Sequence, residues 1–486
     1  LCFGLAKAQT VSGTVSDTSG PLPGASILVK GTTNGTQTDF DGNYTLNNVG
    51  NGATLVFSYI GFKPMEVSVN GRSSISVTLE EDAQALDEVV IIGYGTTTIK
   101  DATGAVTSVS AEDFNGGVIA SPEQLIQGKT AGVNIQQTSG EPGAGIQLNI
   151  RGSNSVRGDN SPLFVVDGVP LAGGNTSPGG DTGSGGNAVK NPLNFLNPSD
   201  IESISILKDA SATAIYGSRG ANGVVIITTK SGKGSAGGKF EFASSLSVAT
   251  PANSYDLLNR EQYLSTVSQF GGDPSAVDFG NDTDWQEFLT RTAASQNQNL
   301  SYSNNYGSGN IRATFGYGKQ FGVVEKSSLE RITGRLNVTQ RFLDDKLTLG
   351  LQTSISRVND ETAPLSGGAG FRGDILGAGY SANPTWSTDA NFTDGGTQIL
   401  PANYLAYTQN ETFTNRILIN ASVDYKFTSE LSGKVNLGYD KSEGENTSVI
   451  SGDVENFTGI EGQGFGVYNI LNRENNLLEA TLNYAK

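Results

Sequence analysis

The run RITGRLNVTQRF, from Arg331 to Phe342, alternates strictly in character. In an extended chain Ile332, Gly334, Leu336, Val338 and Phe342 share one face, while Arg331, Thr333, Arg335, Asn337, Thr339 and Arg341 share the other. A period of two is a strand pattern, and one face is apolar while the other is wet. It recurs in Leu347, Leu349, Leu351 and Ile355, then in Ile417, Ile419, Ala421, Val423, Tyr425 and Phe427. Leu431, Val435, Leu437 and Tyr439 repeat it, as do Leu478, Ala480, Leu482 and Tyr484. Lipid on one side and a watery lumen on the other would produce this dyad in a transmembrane β-barrel. A soluble β-sandwich with one solvated face also alternates, so a secreted binding or adhesion protein is the rival reading.

Connection lengths separate the two. Gly307–Asn310, Leu343–Asp345 and Thr428–Glu430 are short, whereas Pro251–Ala294, Asn359–Glu411 and Glu443–Arg473 are long, and the modest Gly322–Ser328 falls with the long set. Short and long connections alternate, as turns and loops do at the two ends of an outer-membrane barrel. A sandwich has no reason to sort its loops. Tyr317, Phe342, Phe427, Tyr439 and Tyr484 stand at strand ends, where interfacial aromatic girdles belong. Helical text inside the first long connection (Tyr255–Phe270 and Asp284–Thr290) is expected to fold above the membrane.

Composition narrows the function. The chain has 486 residues, a net charge of -17 and no His, with one Cys. Without His there is no His-based triad, His-ligated zinc or imidazole base, and no GxSxG or paired-carboxylate motif replaces them, so a hydrolase is remote. The acidic balance leaves no dense basic patch for a nucleic-acid partner. The 64 Gly, with abundant Ser, Thr and Asn, suit a β-rich protein with many turns. Leu1–Ala8 (LCFGLAKA) reads as the remnant of a signal peptide cleaved before Gln9, which would remove Cys2.

The stretch Ile146–Lys230 has a different grammar. Apolar runs Leu163–Val166 and Val224–Ile227 are bounded by Asp-Gly, Arg-Gly and Asn-Gly turns and are expected to be buried strands. Between them Ile201–Tyr216 is expected to form one or two short amphipathic helices. Gly128-Lys129-Thr130 lacks the earlier Gly of a phosphate loop, since Glu123 stands there. Arg157-Gly158-Asp159 reads as a polar loop. Upstream, Gln9–Glu81 breaks into evenly spaced strand-like runs, the pattern of a small β-sandwich. Its residues at Val11–Val15, Leu22–Gly31, Thr38–Tyr44 and Phe57–Phe62 resemble a carboxypeptidase-regulatory-like domain of the transthyretin-like kind. Asp39–Asn43 lacks the distant carboxylate of a calcium loop and reads as a hairpin turn.

Between these regions lies Leu86-Asp87-Glu88-Val89-Val90-Ile91-Ile92-Gly93-Tyr94-Gly95. Its extended, β-branched residues suit a strand of the sandwich or plug, or a free segment that adds to another protein's sheet edge. It resembles the TonB box of SusC/RagA-type TonB-dependent outer-membrane transporters. Thr103–Val106, Gln127–Val133, Ile150-Arg151-Gly152, Pro162–Pro170 and Leu207–Lys230 resemble that family's plug, in the same order.

The resemblance implies a mainly β protein: a signal remnant (1–8), a β-sandwich (9–81), a linker with the TonB box (82–100), an α+β plug (101–234) and a partial antiparallel barrel (235–486). It implies TonB-dependent import of an oligosaccharide or peptide across the outer membrane, without a cofactor. TonB, with its inner-membrane energising complex, would pair with Asp87, Glu88, Val89, Val90, Ile91 and Ile92, and a SusD-like surface lipoprotein would serve as lid. Plug positions carried over are Ile150, Arg151, Gly152, Asp167, Gly168, Asp209, Tyr216, Gly217, Arg219 and Gly220. Arg151 and Arg219 would either ion-pair with barrel carboxylates or bond local plug carbonyls, while Asp167 and Asp209 would shape turns or cap helices. The alternating segments number about eight, too few for a barrel that encloses a plug, which takes about 22 strands. The expectation is an open, curved sheet with an unpaired final edge.

Overall fold

The structure is a computed structural model. It describes residues 8–484 except 18–19, 31, 33, 60–61, 63–64, 80–88, 93–94, 99–105, 153–159, 174–177, 179–188, 210–212, 234–236, 366–373, 397 and 456–461. The chain divides into two compact units, broadly the first hundred residues and the remainder.

In the first unit the strands are β1 (Ala8–Ser16), β2 (Ser26–Val29), β3 (Gly35–Gln37), β4 (Asn43–Gly50), β5 (Thr54–Ser58), β6 (Met65–Ser68) and β7 (Val77–Thr78). They form two sheets, ordered β4-β1-β7 and β3-β2-β5-β6. Alternate residues of facing strands, among them Val11, Val15, Ile27, Tyr44, Leu55 and Phe57, close one core between the sheets. Tyr44 packs edge-on against Phe57 and donates its hydroxyl to the carbonyl of Ile75 at 2.8 Å. Asp39 accepts from the backbone N–H of Asp41 and Asn43, so its carboxylate fixes a hairpin turn.

Gly13 lies where β1 passes closest to Ile75, and a Cβ there would stand 1.9 Å from the Ile75 carbonyl oxygen. Gly13→Ala therefore has to push two backbones apart, at a cost of about 1–3 kcal/mol. Amide exchange in β1 and β4 of the full chain is expected to quicken roughly 10–100-fold, since about 1.4 kcal/mol is tenfold; unchanged exchange would contradict this packing.

The TonB-box segment is only partly described. Asp87 and Glu88 lie outside the described residues, while Val89–Ile92 forms strand β8, paired with β9 (Gly95–Thr98) in a separate two-stranded sheet. It joins neither the sandwich sheets nor the plug sheet.

The second unit begins with the plug. Strands β10 (Val106–Ser110), β11 (Val133–Gln137), β12 (Ile146–Ile150), β13 (Leu163–Val166), β14 (Val169–Pro170), β15 (Ile201–Leu207) and β16 (Val224–Thr229) appear in that order. Five form one mixed sheet, β10-β15-β16-β13-β14, with β13 parallel to β16; β11 and β12 form a hairpin. Both faces of the mixed sheet are covered. Ile204, Ile206, Val166, Val225 and Ile227 point into one core, and Leu163, Val165, Leu207, Val224 and Ile226 into another. That double burial explains the continuous apolar runs at Leu163 and Val224. The expected helix over Ile201–Tyr216 is corrected here: its first half is strand β15. Ile201, Ile204 and Ile206 are β-branched and bury against the plug core with small serines between them, so strand burial prevails over the helical spacing. Among the described residues the helical part is confined to the second half: Thr213 is helical and Ala214–Gly220 follows as 3-10 turns broken at Gly217, whose φ is 60°.

Eight strands follow: β17 (Lys239–Ala249), β18 (Ala293–Asn305), β19 (Gly309–Phe321), β20 (Ser328–Phe342), β21 (Leu347–Glu361), β22 (Thr408–Lys426), β23 (Leu431–Ile450) and β24 (Phe465–Tyr484). They form one antiparallel meander in sequence order, and β17 and β24 do not pair with each other. The sheet is open, as expected. Tight turns join β18–β19, β20–β21 and β22–β23; in the second, Leu343, Asp344 and Asp345 all have positive φ. Long connections join the other ends, and one holds helices at Arg260–Gln269 and Trp285–Leu289. The long connection expected over Glu443–Arg473 is mostly strand instead. Glu443 pairs with Asn472 and the ladder runs on to Ile450 and Phe465, because β23 is held there by backbone pairing to β22 on one side and β24 on the other.

Candidate functional site

The large sheet is inside out. Along β20 the polar Arg331, Thr333, Arg335 and Asn337 are buried, while Ile332 is 38 % exposed. Along β21 and β23 Ser354 and Asn436 are buried, whereas Ile355 and Leu437 are 53 % and 51 % exposed. A soluble sandwich would bury the other face. The exposed apolar stripe runs from Leu347 to Ile355, Ile417 to Tyr425 and Leu431 to Tyr439. Each is the span of roughly 9–11 residues that a tilted membrane strand needs. Beyond it the same face turns charged, at Arg357, Lys441 and Glu474. Phe342, Phe427 and Tyr484 stand exposed at the tight-turn edge of the stripe.

The buried polar face is a wall against the plug. Arg335 donates to the carboxylate of Asp167 and to the hydroxyl of Thr229. Asp167 itself accepts from the Thr229 N–H at 3.0 Å. Asn420 donates to the Asp167 carbonyl. Nearby, Asp200 of the plug accepts from Thr314 at 3.0 Å and lies 3.7 Å from Arg312. Arg331 donates to the carbonyls of Leu196 at 3.0 Å and Asn194 at 3.3 Å.

Arg416 makes a two-pronged contact with Asp440, both bonds 2.8 Å, and its remaining nitrogen reaches the Pro192 carbonyl. Asp440 also accepts from the Ala172 N–H at 3.0 Å, and the guanidinium lies 4.3 Å from the Phe195 ring centroid. Lys190 of the plug pairs with Glu141 at 2.7 Å and lies 3.7 Å from Asp360 of β21. Burial alone would lower the Lys190 ammonium, but Asp360 and Glu141 hold it above its usual range.

Among the described residues Leu418 is the one wall residue in the plug's main apolar core. The wall therefore holds the plug mainly by hydrogen bonds and ion pairs. Water can replace such contacts at a net cost of about 0.5–1.5 kcal/mol each, whereas pulling one core side chain into water costs about 1.5–3 kcal/mol. The plug thus keeps its own apolar cores behind a polar wall.

Comparison with known proteins agrees with this geometry. Residues 11–91 match the CarboxypepD_reg-like domain and residues 98–224 the TonB-dependent Receptor Plug Domain. The chain is 34 % identical over 476 residues to the TonB-dependent receptor SusC of Bacteroides thetaiotaomicron, covering 92 % of this chain and 46 % of that protein. It is 38 % identical over 440 residues to the TonB-dependent receptor P26 of Formosa agariphila, covering 87 % and 42 %. Over most of its length this chain is similar to SusC-type TonB-dependent receptors. It spans less than half the length of these relatives. Its fold also matches the RagAB peptide importer in the 'open-open' state, at a TM-score of 0.62 and 24 % identity over 75 % of this chain and 43 % of that one. These relatives are receptors and transporters, not enzymes, and SusC-type receptors are outer-membrane β-barrels, in keeping with the exposed stripe.

In this chain the plug positions singled out from sequence part company. Asp167 and Gly168, with φ of 47° and 87°, form the tight turn between β13 and β14 and face the wall. Ile150 ends β12, buried. Arg151 and Gly152 follow with φ of 58° and 95°, and Arg151 is ion-paired to Asp209 of the plug. The alternative that Arg151 pairs with the barrel is thus corrected: its turn faces the plug's own β15–3-10 corner, where Asp209 is the near carboxylate. Tyr216 is half-buried, Gly217 and Arg219 are exposed, and Gly220 is buried against Thr213. At Arg335–Asp167 and Arg312–Asp200 the strand supplies the arginine and the plug the carboxylate, the reverse of the expected sense, whereas Lys190 of the plug meets the strand carboxylate Asp360 in that sense. The alternation of Arg331 and Arg335 on the wet face was the available signal for it.

Of the loop aromatics, Trp386 and Tyr404 are buried in packing between the long connections. Tyr380 is exposed and meets Tyr255 edge-on at 5.0 Å. Phe371 lies outside the described residues.

Glu123 sits buried in the plug and accepts from Asn191 at 3.0 Å. Burial raises its carboxyl above the usual range, outweighing the bonds from Asn191, its own backbone and Ser121. A raised folded-state value means that the folded plug binds the proton more tightly than the unfolded chain. Its contribution is fully present below the ordinary carboxylate value and is lost as pH rises through the raised one. Urea midpoints of the plug are expected to fall over that window. Glu123→Gln should flatten the profile and raise the midpoint at pH 7; a midpoint that falls there instead would contradict the assignment.

Proposed function

We propose that this protein is part of a TonB-dependent importer that carries an oligosaccharide across the outer membrane. The observation that carries the reading is the inverted sheet: an apolar stripe faces outward and a polar wall grips a plug with its own apolar cores. Such a plug is built to be released and reseated. In this reading the tight turns face the periplasm and the long connections face outward, where a SusD-like lipoprotein would sit as lid. Asp87–Ile92 pairs with TonB by strand addition, and the inner-membrane complex behind TonB supplies the work that the outer membrane cannot.

Oligosaccharide is put before peptide because the family resemblance implies it as the usual cargo, and the RagAB peptide importer is alike in fold alone. The test is uptake of mixed labelled glycan fragments by cells expressing the full-length protein, with and without TonB. Uptake that needs TonB supports the reading. Uptake equal in both strains, or of peptides only, overturns the mechanism or the cargo class respectively.

A further inference from the structure

Below the Asp167–Gly168 turn, plug and wall part to leave a cavity of about 320 Å³, within the range of small-molecule clefts, about 300–1,000 Å³. Its wall side comes from five neighbouring strands, β20 to β24, and it lies toward the tight-turn end. Thr339, Ser422, Lys434 and Thr481 line it close to the turn-side ends of their strands. Its far end is closed by the Asp167–Gly168 turn, held by Arg335 and Asn420.

Beside the charged Lys233, Lys434 and Glu479, the cavity holds a set of buried acceptor atoms. Asn337 and Asn420 each spend their amide N–H groups on plug carbonyls, those of Lys230 and Asp167. Their Oδ1 atoms, with Oδ1 of Asn436, Oε1 of Gln352 and Oγ1 of Thr481, are buried and have no hydrogen-bond partner among the described residues. The three asparagines are 5–8 % exposed. Buried polar atoms left alone are costly, so five of them lining one cavity require donors from whatever fills it. A polyhydroxylated molecule supplies donors in several directions at once.

We propose that this cavity is a station on the cargo's way inward, a binding site for one hydroxyl-rich unit, entered when the Asp167–Gly168 turn lifts off the wall. The proposal rests on the import reading, but its test does not need TonB or the natural cargo. The full-length protein is placed in liposomes, and swelling is followed in D-glucose and in trimethylamine N-oxide, which is smaller but has no donor. Wild-type protein is expected to swell no faster than empty liposomes. Asp167→Asn with Asn420→Ala loosens the turn and is expected to raise glucose entry at least fivefold. Adding Ser422→Phe and Thr481→Phe fills the cavity and should return the rate to within twofold of baseline.

Glucose should also enter at least as fast as trimethylamine N-oxide despite its size. The proposal is overturned if the loosened protein does not leak, if filling the cavity leaves the leak intact, or if entry simply follows size. Should the double variant not assemble, as judged by heat-modifiable migration, Asn420→Ala alone carries the same comparison. A leak that behaves as expected in a protein that cells do not use for uptake would keep the station and discard the import reading.

Discussion

Deleting Asp87–Ile92 is expected to lower uptake to the level of a strain without TonB, while cargo still binds at the cell surface. Val89–Ile92 already lies extended as β8, yet it is a strand of neither the sandwich nor the plug sheet. A short extended segment outside the large sheets is suited to pairing with a partner's sheet edge. Pairing along a strand loads several main-chain hydrogen bonds at once, so it resists a pull along its axis. Ile91→Pro is the sharper version: it removes one N–H donor and fixes φ, which breaks pairing without shortening the chain. Both variants should assemble with normal heat-modifiable migration. Undiminished uptake in either would remove this segment from the coupling step.

The second large effect is expected at Arg416. Its two-pronged pair with Asp440 is among the most buried in the protein, and the two residues hold the plug at Pro192 and Ala172. Arg416→Met leaves the Asp440 carboxylate buried beside one remaining N–H donor, and removing one partner of such a pair costs about 3–5 kcal/mol. Arg416→Met with Asp440→Leu removes both charges and should recover most of that loss, because isosteric apolar replacement of a buried pair is close to neutral. The readout is the urea dependence of protease cleavage within the plug. If the single and double variants lose the same stability, the charge pair is not what holds this edge of the plug.

Much of this was legible in the sequence. The wall was readable because alternation is imposed residue by residue: Arg331 and Arg335 face away from Ile332 and Leu336 in any extended chain. Sorted turn lengths gave the strand order, and the Asp-Gly and Asn-Gly turns gave the plug's buried strands. The failures have physical causes. Ile201–Tyr216 carries apolar spacing compatible with a helix, and only the sheet that receives Ile204 and Ile206 decides for a strand. The upper part of β23, Lys441–Ser448, is polar on both faces, so nothing local marks it as strand; pairing with β22 and β24 does. Which plug residue meets which wall residue depends on register across more than a hundred positions. Arg335 finding Asp167 is of that kind, and Arg151 finding Asp209 is the same problem across 58 positions within the plug.

The central claim is that the large sheet crosses a membrane with its polar face turned to the plug. Nitroxide labels placed singly at Ile355, Leu437, Ser354 and Asn436 of the full-length protein in bilayers test it most directly. Positions 355 and 437 are expected to be relaxed by oxygen dissolved in the lipid and shielded from a water-soluble nickel reagent. Positions 354 and 436 should show little access to either. Strong access of the nickel reagent to 355 and 437 would mean that the apolar stripe faces water or a protein partner, and the account would fail.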